Sequence, residues 1–120
     1  MAETDRRLAA LACLCGLICV IGGAFGAHGI SDPLLKDVAR TGATYGLAHS
    51  LAVFAALGFG RSRWAAGLFL AGFSLFSGSL FALALGAPRW LGAVTPLGGL
   101  SFMAGWIALG WACLAPRKAD

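Results

Sequence analysis

Four uncharged stretches of about twenty residues each decide what this chain can fold into. A hydrocarbon core ~30 Å thick is crossed by ~20 apolar residues in an α-helix. Residues 8–27, 41–60, 64–86 and 96–115 all reach that length without a single acidic or basic side chain apart from His49. The third run holds nothing more polar than Ser74, Ser77 and Ser79, and the second carries Thr44, Tyr45 and His49. Charged residues make up only 12% of the 120-residue chain, against 59% hydrophobic, whereas a soluble domain uses ~25% to cover its surface. That balance excludes a soluble globular enzyme, a disordered chain and a disulfide-stapled secreted domain. Residues 1–120 have room for one domain. The expectation is an all-α protein: a four-helix antiparallel bundle that spans a membrane, with the lipid bilayer as its first partner.

The net charge of +4 comes from Lys and Arg set in small groups between the apolar runs. No basic stripe interleaved with aromatics occurs, so a nucleic-acid partner is not expected. These cations orient the chain instead. Four spans put Arg6, Arg7, Arg61, Arg63, Arg117 and Lys118 on one side and Lys36, Arg40 and Arg89 on the other. Six against three places both termini in the cytoplasm. Arg61-Ser62-Arg63 is long enough only for a tight turn between antiparallel helices, and Trp64, Trp90 and Trp111 fall near the span boundaries. The first run has the Arg-Arg start of a signal peptide, but it outruns the usual ~7–15-residue apolar region and three more spans follow, so its retention is expected.

In the first outer loop, Ser31 or Asp32 can cap a helix that begins at Pro33. Residues 33–40, with Leu34, Leu35 and Val38 on one face, read as a short interfacial helix lying on the membrane surface. Thr95 is placed to cap the fourth span ahead of Pro96. Gly22-x-x-x-Gly26 and Gly42-x-x-x-Gly46, together with Gly78 and Gly105, would let helices approach closely. Cys15 and Cys19 share a helical face, yet Cys13, Cys15, Cys19 and Cys113 include no CxxC pair. They read as small apolar packing residues, with no metal and no cofactor expected.

His49 is the most informative single residue, because an ionisable group inside a span is costly unless it is paired or faces a cavity. Counted from Gly42 as the outer boundary it lies ~10 Å deep at 1.5 Å per residue. The same count puts Ser77 and Ser101 at roughly 10 and 8 Å, with Tyr45 one turn above His49. Tyr45, His49, Ser77 and Ser101 are therefore expected in one outer layer. They either hydrogen-bond between helices or line a small polar pocket with His49 as proton acceptor or ligand. On the structural alternative His49→Leu should be tolerated. His28, at the outer end of the first span, sits either at the pocket mouth or on the helix terminus as a cap.

The blocks Gly23-Ala24-Phe25-Gly26-Ala27-His28-Gly29, Tyr45-x-x-x-His49-x-Leu51-Ala52 and Phe76-Ser77-Gly78-Ser79-Leu80 occur in that order. Arg89-Trp90-Leu91-Gly92, Thr95-Pro96-Leu97-Gly98-Gly99 and Ala104-Gly105-Trp106 follow. Together they resemble the signature of the domain of unknown function 423 family. That resemblance implies a multi-span protein of the bacterial cytoplasmic (inner) membrane with no established activity, and it adds Arg89 and Thr95 to the candidate site residues. The chain departs from the family where many members carry Gln directly after the Tyr and often Glu before it; here these are Gly46 and Thr44.

Two kinds of function fit. The first is an accessory, assembly or lipid- or ligand-binding subunit within the membrane, in a larger complex or a homo-oligomer, without chemistry of its own. The second is a small transporter or channel using the polar layer around His49; the absence of any Asp, Glu, Lys or Arg in the spans counts against it. An enzyme is not expected, because neither GxSxG nor HExxH occurs and no acidic residue could orient a Ser77–His49 pair.

Overall fold

The structure is a computed structural model that describes residues 1–116; Arg117 and Lys118 lie outside the described residues. The chain forms four long helices: α1 at Glu3–Gly29, α2 at Pro33–Gly60, α3 at Arg63–Ala84 and α4 at Thr95–Leu114. A short 3-10 turn at Arg89–Ala93 leads into α4. All four are long and apolar enough to cross a membrane, and no strand occurs among the described residues. Neighbours run antiparallel. Gly26 meets Ala39 while Gly46 meets Cys19, and Gly105 meets Phe69 while Gly98 meets Phe76.

The turns follow from local chemistry. Asp32 accepts the Leu34 N–H at 2.9 Å with Pro33 in the first helical turn. At the other end of α2, Arg61 takes a left-handed conformation (φ 49°), and Ser62 then caps α3 by accepting the Ala65 N–H at 3.1 Å. Arg63 donates to Asp5 at 2.8 Å, tying the starts of α1 and α3 together at the end that carries the N-terminus.

Residues 33–40 do not form a separate surface helix; they are the first two turns of α2, and nothing between Arg40 and Thr41 interrupts the backbone ladder. A 28-residue helix is ~42 Å long, about 12 Å more than the hydrocarbon core. Residues 41–60 are by themselves long enough to fill that core, so the amphipathic turns extend the helix beyond it, and there Arg40 pairs with Asp37 at 3.1 Å. Thr95 is likewise no cap: α4 has no side-chain cap bond, and the Thr95 hydroxyl meets Ser79 instead.

Packing rests on small residues, as it must where lipid tails are as apolar as Leu and no hydrophobic force drives helices together. A Cβ on Gly46 would lie 2.6 Å from Cys19 Sγ and 2.7 Å from Ser77 Oγ. Gly22 and Gly42 accommodate the Phe81 ring, Gly26 faces Ala39, and Gly105 faces the Phe69 ring. Gly78 does not take the packing place expected of it, since the nearest atom to its missing Cβ is 4.0 Å away. It follows a π-helical turn at Phe73–Ser77, whose wider winding rotates the helix face that comes after it. Gly60, Gly72 and Gly98 hold close crossings instead, against Leu109, Phe102 and the Phe76 backbone respectively. Phe69, Val53 and Ser77 are the largest fully buried side chains of the resulting core. α1 is the peripheral helix: it packs chiefly on α2 through Ala12, Cys15, Cys19 and Gly26, while Cys13 is exposed.

Candidate functional site

His49 comes from the middle of α2, about 24 Å along the helix from Pro33 and 16 Å from Gly60 by the α-helical rise. It is 7% exposed. Its ring lies flat on Phe102 of α4, centroids 3.6 Å apart and planes 9° from parallel. Phe69 of α3 closes one side at 5.7 Å, and Trp106 of α4 stands edge-on at 5.8 Å. Three helices thus build an aromatic box around one imidazole. Gly105 is what allows it, because a side chain there would strike the Phe69 ring.

Both ring nitrogens are engaged. Trp106 Nε1 donates to His49 Nε2 at 3.0 Å, and His49 Nδ1 meets the Tyr45 carbonyl one turn back at 2.6 Å. An indole N–H can only donate and a carbonyl can only accept, so the network assigns the neutral tautomer with its proton on Nδ1. A second proton on Nε2 would occupy the lone pair that the indole uses.

The other polar residues do not converge on His49. Ser77, fully buried, donates to the Gly42 carbonyl of α2 at 2.8 Å. Ser101 of α4 donates to the Leu68 carbonyl of α3 at 2.7 Å. Ser79 gives its proton to the Phe76 carbonyl at 3.0 Å, so Thr95 donates to Ser79 across α3 and α4 at 2.6 Å. Tyr45 is half-exposed, its ring 5.2 Å from Phe76 and 6.4 Å from His49. His28 and Arg89 are exposed at the far end of the bundle. In place of one outer polar pocket, the structure has a set of separate cross-helix bonds with aromatic rings filling the space between them. The reason is local: in hydrocarbon each hydroxyl takes the nearest carbonyl, and the crossing glycines bring carbonyls of the facing helix within reach.

Trp106 is the site residue that sequence reasoning passed over. An indole in mid-span, away from the headgroup region that Trp normally favours, carries a donor that must find an acceptor in hydrocarbon. His49 is such an acceptor, and this was the available signal.

Comparison with known proteins agrees with the fold. The family model described as "Protein of unknown function (DUF423)" matches residues 22–99, a stretch that includes Tyr45, His49, Ser77 and Thr95. The chain is 39% identical to a UPF0382 membrane protein of Schizosaccharomyces pombe, over 82% of this chain and 94% of that protein. It is 41% identical to one of Haemophilus influenzae, over 84% and 88% respectively. It is 40% identical to one of Bacillus subtilis, over 78% and 84%. No solved structure matches. With four membrane-length helices and relatives of this similarity over most of its length, the chain belongs to the DUF423 family, a family of membrane proteins of unknown function.

Proposed function

We propose that this chain is a non-enzymatic accessory protein of the membrane, acting through its helix surfaces in a larger complex or a homo-oligomer, and that it does not carry protons or ions. The engagement of His49 carries this reading. A relay group needs a ring nitrogen open to water or to a second titratable side chain; His49 instead has a backbone carbonyl on one nitrogen and an indole on the other. The buried hydroxyls support the same view, since they bond to carbonyls or to each other, and no buried side-chain nitrogen or oxygen among the described residues lacks a partner. Native mass spectrometry of the detergent-solubilised protein should give a reproducible oligomer or a co-purifying membrane protein. A bare monomer that produces pH-dependent ion flux in liposomes would favour transport and overturn the proposal.

We further infer residence in a bacterial cytoplasmic membrane with both termini on the cytoplasmic side. The six-to-three division of cations supports this orientation, and the helix order puts Glu3, Arg61 and Leu114 at one end of the bundle. Arg61 is exposed and already left-handed, so Arg61→Cys adds no backbone demand. A membrane-impermeant maleimide should label that variant above the parent only after permeabilisation. Labelling in intact spheroplasts would reverse the orientation.

A further inference from the structure

At the end of the bundle away from the N-terminus, α1 and α2 part on one side to leave a groove of about 230 Å³. Its α1 wall is Gly23, Gly26 and Ala27, with nothing larger than a methyl group. Its α2 wall carries Lys36, Arg40 and Thr44, spaced four apart and so on one helix face. Lys36 is half-buried against this groove and makes no ion pair among the described residues. Arg40 gives one guanidinium nitrogen to Asp37 at 3.1 Å and keeps the rest of its donor fork. With Asp37 counted, the cluster holds one net positive charge.

Its depth is set by the length of α2. The first two turns stand above the 41–60 span, so Lys36 and Arg40 lie in the headgroup layer and Thr44 about one turn inside the hydrocarbon. A ligand that suits both levels has an anionic head and an apolar tail. The α1 wall sets no large side chain in the way, and Val20 and Leu47, exposed and about one turn further along the same helix faces, offer a chain apolar surface to lie on. A zwitterionic head would bring its own cation to a cluster that is already positive; a singly charged phosphodiester matches it.

We infer that the α1–α2 groove binds an anionic phospholipid, its headgroup phosphate held by Lys36 and Arg40, with Thr44 one turn lower beside the start of the chains. Free phosphate offers the same oxygens without the chain, and the test separates the two.

The delipidated protein is offered equal amounts of phosphatidylglycerol and phosphatidylcholine of identical chains, and retained lipid is read by native mass spectrometry. Phosphatidylglycerol should be retained about fivefold over phosphatidylcholine, the size expected for one net charge at an anionic lipid surface. K36Q, which leaves Arg40 balanced by Asp37, should bring the ratio to about one, and K36Q/R40Q, which leaves the Asp37 carboxylate alone, should bring it below one. R6Q/R7Q, at the opposite end, should leave the ratio unchanged. Millimolar inorganic phosphate should neither displace the lipid nor remain bound. The proposal fails if the parent shows no preference, if K36Q keeps the parent ratio, if R6Q/R7Q lowers it equally, or if phosphate displaces the lipid.

Discussion

Gly98→Ala is expected to destabilise the bundle by about 3 kcal/mol or more, at or beyond the top of the usual overpacking range. A Cβ at this position would fall on the backbone nitrogen and Cα of Phe76. A side chain can rotate out of the way of a methyl group; a helix backbone cannot. Phe76 also lies in the π-helical turn of α3, so the collision is with the segment that carries the α3–α4 crossing. Pushing α4 outward would stretch the Thr95–Ser79 and Ser101–Leu68 bonds at the same time. Gly16→Ala and Gly110→Ala are the controls, because nothing lies within 4 Å of either missing Cβ. Alanine in a helix interior is favoured over glycine by about 0.5–1 kcal/mol, so both should hold or slightly raise the thermal midpoint in detergent. A Gly98→Ala protein that melts with the parent would remove close backbone approach as the basis of this packing.

That contrast among glycines marks where the sequence stops being legible. Span number, antiparallel order and the Arg61–Ser62 turn follow from run length and loop length, which are one-dimensional quantities. So does the cap at Asp32, a contact two residues long. Which of the 18 glycines touch another helix is a matter of helix rotation, and rotation is set by partners. The π-helical turn at Phe73–Ser77 changes that rotation in the middle of α3 with no proline or charge to announce it, which is why Gly78 leads away from the interface. The polar residues show the same division. Depth counting from Gly42 put Tyr45, His49, Ser77 and Ser101 at similar heights, but height does not fix azimuth, and α2 begins nine residues earlier, at Pro33. Ser77 consequently bonds to Gly42, Ser101 to Leu68, and the partner of His49 is a tryptophan.

His49→Leu is expected to destabilise the protein by about 2 kcal/mol, more than the ~0.6 kcal/mol average of an interhelical hydrogen bond in a membrane. Leucine suits the bilayer, and on depth alone the change should be tolerated. The geometry says otherwise, because the substitution strands the Trp106 N–H in hydrocarbon and also removes the flat ring stacked on Phe102. An orphaned donor costs about 1–3 kcal/mol where water cannot replace the lost partner. Trp106→Phe should be the milder change, about 1 kcal/mol, since it leaves the imidazole stacked and bonded through Nδ1 to Tyr45 and strands only the Nε2 acceptor. The informative protein is the double variant. With both partners gone no polar atom is stranded, so His49→Leu/Trp106→Phe should be less destabilised than the sum of the single changes, with a coupling of about 0.6–1.7 kcal/mol. Unfolding of the four proteins in one detergent measures it. Strict additivity would mean that the indole–imidazole bond contributes nothing to the fold, and the burial of a histidine in mid-membrane would then need a functional cause that a stable bundle does not supply.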